Sequence, residues 1–72
     1  MPTARERLDI LHQQIEDARR AIDERRSLVQ LMEQEGEDTQ DAHRLLGHLQ
    51  HSLDDMIQFR NQVLREVEQT GG

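Results

Sequence analysis

The stretch from 33 to 46, Glu33-Gln34-Glu35-Gly36-Glu37-Asp38-Thr39-Gln40-Asp41-Ala42-His43-Arg44-Leu45-Leu46, decides the fold. Gly36 is placed to end a helix arriving from the N-terminal side, because glycine enters the left-handed region without a Cβ clash. Asp38 or Thr39, each with a short side-chain oxygen acceptor, can cap a helix that leaves on the other side. The connection, roughly 35–38, holds only a few residues. Helices joined by loops of about 2–8 residues run antiparallel and side by side, so the turn predicts a hairpin.

Outward from the turn, both flanks carry one periodic stripe. On the N-terminal side Ala4, Leu8, Leu11, Ile15, Ala18, Ile22, Arg25, Val29 and Met32 recur at alternating spacings of four and three. On the C-terminal side Ala42, Leu46, Leu49, Leu53, Met56, Arg60, Val63 and Val67 do the same. That alternation keeps a stripe on one seam of a helix wound at about 3.5 residues per turn. Thr3 followed by Glu6 has the spacing of a capping box, so the first helix is expected to begin there. The expectation is one all-α domain over residues 1–72, an antiparallel two-helix hairpin resembling a coiled coil. Its first helix runs over about 4–35, its turn over about 36–38 and its second helix over about 39–69. At about 1.5 Å per residue each helix is some 45–50 Å long, which makes a thin rod.

Composition agrees with long helices. Hydrophobic and charged residues each make up 33% of the chain, with a single aromatic, Phe59, and a single proline, Pro2. Strand chemistry is nearly absent, and strict periodicity of the apolar residues separates the chain from a disordered segment. With no cysteine, neither a disulfide framework nor a thiolate zinc site is available to reinforce a small core. The charge of −6, from 15 acids against nine arginines, repels anionic surfaces and argues against nucleic acid and acidic lipid as partners. No apolar run approaches the ~20 residues that span a bilayer, and the first residues lack the apolar core of a signal peptide, so the expected compartment is the cytoplasm.

The seam does not account for every apolar residue. Ala21, Leu28 and Leu31 lie beside it on the first helix, and Leu45, Ile57, Phe59 and Leu64 on the second. Exposure of five or six such side chains forgoes about 1.5–3 kcal/mol each, a sum comparable with the stability of a small domain. A second contact surface is therefore expected, formed by Leu28, Leu31, Leu45, Ile57, Phe59 and Leu64. Its simplest use is a homodimer forming a four-helix bundle; docking of a helical partner protein is the alternative.

Other constellations have structural explanations. Arg25 and Arg60 interrupt the seam; buried together they would suit an anion, yet each can lay its stem over apolar neighbours and send its head to a carboxylate at the edge, with Asp17, Glu24 and Glu66 in reach along the helix. His48 and His51, followed by Asp54 and Asp55, have chelating spacing, as do Asp9 and His12, but the two groups belong at opposite ends of a rod. The pairs Arg19-Arg20 and Arg25-Arg26 resemble a phosphate contact, but Asp17, Asp23 and Glu24 stand at spacings that favour intrahelical ion pairs. The diglycine Gly71-Gly72 is similar to the tail of ubiquitin-like modifiers, although two glycines after a helix are ordinary punctuation. No catalytic, cofactor or metal residues are assigned, and the chain is expected not to be an enzyme. A small helical regulator of nucleic acid and a metal-binding or enzymatic bundle are the readings carried beside an interaction module.

Over roughly 15–64 the chain resembles a large group of small helical proteins, of no assigned biochemistry, common in alphaproteobacteria. The resemblance is carried by Ile22, Arg26, Leu28 and Val29 before the turn, by Gly36, Asp38, Thr39, Ala42, Leu45 and Leu46 through it, and later by Arg60 and Leu64. It implies a cytoplasmic helical hairpin and adds no activity. Residues 54–57 stand where that group often carries a further histidine.

Overall fold

The computed structural model describes residues 3–69, and the Gly71-Gly72 pair lies outside them. It contains α1, Ala4–Gln34, and α2, Gln40–Gln69, packed against each other as an antiparallel hairpin with no strand among the described residues. Each boundary at the turn falls one residue from its expected place, because residues 35 and 39 are half-in caps without full helical bonding.

Local bonding at the three described caps follows the residue chemistry. The Thr3 hydroxyl accepts from the Glu6 amide at 3.2 Å, and its carbonyl accepts the first helical bond, from Arg7, at 3.0 Å. At the other end of α1, Gly36 has φ 76°. Its amide donates to the Glu33 carbonyl at 3.1 Å while the Glu37 amide donates to the Met32 carbonyl at 2.9 Å. Those two bonds are the reverse-turn pair that satisfies the last carbonyls of a helix ending in a left-handed residue. At the start of α2 the two candidate caps divide the work. The Thr39 carbonyl takes the first helical bond, from His43 at 2.9 Å, and the Asp38 carboxylate takes the otherwise orphaned Gln40 amide at 3.0 Å.

The core lies where the stripes meet. Leu8, Leu11, Ile15, Ile22 and Val29 of α1 and Leu46 and Val63 of α2 are buried, all of them seam residues, and Ile15 is deepest with 2% exposure. At the open end Leu8, Leu11 and Val63 form one cluster with Leu64 and Val67 packed on it. No polar or charged side chain is buried among the described residues. The molecule measures 55 × 17 × 15 Å with a radius of gyration of 16.5 Å, against about 11 Å for a compact chain of this length. Its accessible surface of 5724 Å² exceeds by roughly 1,000 Å² what a compact monomer of this mass presents. Two helices side by side supply one line of contact, and that line cannot enclose the side chains on either helix's flanks.

Candidate interaction surface

Heptad positions make the two edges of the rod distinct. With Leu8, Ile15, Ile22 and Val29 of α1 and Leu46, Leu53, Arg60 and Val67 of α2 at position a, and the other seam residues at d, the e and g positions flank the seam on either side. In an antiparallel pair like flanks share an edge. The turn fixes which: Glu33 and His43, both at e, meet across the helices, with His43 Nε2 2.9 Å from Glu33 Oε1. That bond forms with the ring proton on Nε2, since a carboxylate only accepts. The g positions therefore line the opposite edge.

This division separates the six expected surface residues into two sets. Ile57 and Leu64 occupy e positions and are half-buried; Leu64 packs on the Leu8, Leu11 and Val63 cluster. Across from them α1 places His12, Arg19 and Arg26, side chains broad or long enough to lie over apolar neighbours. Ile57 and Leu64 thus lie on the edge opposite the other four expected surface residues, and the hairpin itself covers part of each. Leu28, Leu45 and Phe59 at g and Leu31 at c stay 41–53% exposed, and they share the other edge. Ile10, also at c and 54% exposed, belongs with them. Sequence reasoning passed over Ile10 because it stands outside the seam next to Leu11; the signal was there in its spacing of 21 from Leu31, three heptads. The α1 residues at g along this edge include Gln14 and Ala21, and α2 contributes Ser52, none of which reaches across as an arginine does.

The seam arginines behave differently from the expectation. Arg25 is exposed and makes no ion pair with a described residue. Arg60 is half-buried, and its guanidinium donates through Nε at 3.4 Å and Nη2 at 3.1 Å to the Asn61 amide oxygen, not to a carboxylate. An amide oxygen one residue away costs less side-chain freedom to reach than a carboxylate on the far flank. The charged faces do form the expected short-range pairs, Arg20 with Asp17 and Arg26 with Asp23, each at 4.0 Å, and Arg44 with Asp41 at 3.8 Å. All three are solvent-exposed, where such pairs contribute under about 1 kcal/mol.

Among the described residues no group of three or more potential ligands converges to hold a metal, so His48 and His51 gain no partner from α1. A shallow depression on α2 is lined by Gln58, Asn61, Gln62 and Arg65, all exposed and all from one helix. No helix of the described residues is long and apolar enough to cross a membrane. Compared with models of protein families, with curated proteins and with solved structures, the chain matches none. The resemblance to alphaproteobacterial helical proteins rests on the residues quoted for it alone.

Proposed function

We propose that the chain is a non-catalytic protein–protein interaction module that acts as a homodimer, two hairpins pairing along their g edges into a four-helix bundle. The observation that carries this reading is the grouping of Ile10, Leu28, Leu31, Leu45 and Phe59, the exposed large apolar residues, on one edge. Random placement would scatter them, and scattered single apolar residues need no partner. The dimensions support it as well. A face 55 Å long and 15–17 Å wide is comparable with the ~800 Å² that each partner contributes to a standard interface. Pairing would remove most of the surplus surface that the rod carries. The net charge of −6, which disfavours anionic surfaces, is in keeping with a protein partner.

Sedimentation equilibrium over a dilution series, with circular dichroism on the same samples, tests it. The expected outcome is a doubled mass and a melting midpoint that falls on dilution. Leu28→Glu or Phe59→Glu buries a carboxylate at each of two symmetric positions and should weaken the dimer on the order of 100-fold. His51→Glu, at an exposed position on the outer face, should leave it unchanged. A stably helical monomer at every concentration would overturn self-association and assign the apolar edge to a different chain.

A further inference from the structure

Resting on the homodimer just proposed, we infer that the two hairpins pair antiparallel, with the turn of one copy beside the open end of the other and Arg7 facing Glu35 across the interface. Apolar registration alone is satisfied twice. A two-fold axis along the rod would set α1 of each copy against α2 of the other and keep each leucine level with its own copy. An axis across it, near Ala21 and Ser52, would set Ile10 against Leu31 and Leu45 of the other copy and bring Phe59 level with Leu28. Ala21 and Ser52 are small, so the midpoint permits close approach of the helices.

Charge separates the two. The turn end carries Glu33, Glu35, Glu37, Asp38 and Asp41 against Arg44 and His43, a local charge of about −4 of the chain's −6. Parallel pairing brings two such ends together; antiparallel pairing keeps them a rod length apart. The open end supplies the complement. Arg7 is the arginine at a g position, and it lies one helical turn beyond Ile10, while Glu35 lies one turn beyond Leu31. Once Ile10 meets Leu31 of the second copy, Arg7 falls opposite Glu35, and the two-fold axis repeats the pair. Both side chains are exposed, and neither has an ion pair with another described residue. Of the remaining carboxylates on this edge, Asp17 comes level with Glu24, and Asp55 near the axis with its own copy, in the antiparallel arrangement; these exposed rim positions are screened by solvent and fewer than the acids gathered at the turn.

The chain has no cysteine, so a single spin label on Gln34→Cys reports the turn-to-turn distance without interference. Antiparallel pairing sets residue 34 opposite residue 7 of the other copy and predicts a separation of about 40 Å along the rod, some 27 residues at ~1.5 Å each; parallel pairing predicts about 20 Å, two helix diameters. Charge reversal gives a second readout. Arg7→Glu and Glu35→Arg should each weaken the dimer on the order of ten-fold, and the double variant should restore it. A dimer with a short label distance, or one in which the double variant is no tighter than the singles, overturns the antiparallel pairing and leaves self-association standing. A monomer in sedimentation overturns both together.

Discussion

Gly36 is where one residue has the largest consequence for the chain. Its φ of 76° lies in the left-handed region, and both bonds that close α1, from its own amide and from that of Glu37, depend on it. A Cβ added there meets nothing within 4 Å, so the cost of replacement is conformational and not steric crowding by neighbours. Gly36→Ala should lower hairpin stability by about 1–2 kcal/mol in urea melts, and Gly36→Asn by less, because asparagine visits this region more readily. Such a position is legible in a sequence because only the backbone is involved. Arg60 was not: its place in the seam was evident, but the choice of Asn61 over a carboxylate depends on rotamers that no spacing encodes.

Along each helix, the balance between propensity and packing can be weighed position by position. Gly47 stands in the interior of α2, where glycine costs roughly 1 kcal/mol relative to alanine. A Cβ there also meets nothing within 4 Å, and position b lies away from the g edge. Gly47→Ala should therefore stabilise the helix by about 1 kcal/mol, seen as a raised melting midpoint, with the dimer affinity unchanged. A loss of dimer affinity would place Gly47 in an interface on the wrong side of the rod. The seam of α1 is buried at five positions and that of α2 at two, and Arg25 contributes to the difference. By turning outward it leaves Leu49, about level with it on α2, half-buried. Arg25→Leu should close that gap and raise stability by about 1 kcal/mol in thermal melts.

For the molecule as a whole, thinness is the governing property. One line of contact between two rods buries seven apolar residues among those described, and a domain of this size is marginal without something further. The concentration dependence expected of the melting midpoint follows from that, since the second half of the core would arrive with the second copy. The sequence by itself determined the helices, the turn, the seam and the antiparallel hairpin, because periodicity, a positive-φ glycine and capping oxygens act within a few residues of one another. Only the tertiary structure decided which apolar flank stays open. Ile57 and Leu64 look as available in the sequence as Leu45 and Phe59. Antiparallel packing sets His12, Arg19 and Arg26 along the edge they occupy, whereas the middle of the other edge carries Gln14, Ala21 and Ser52. Which neighbour lies across a flank is a property of two helices in register, and it cannot be read from either helix alone.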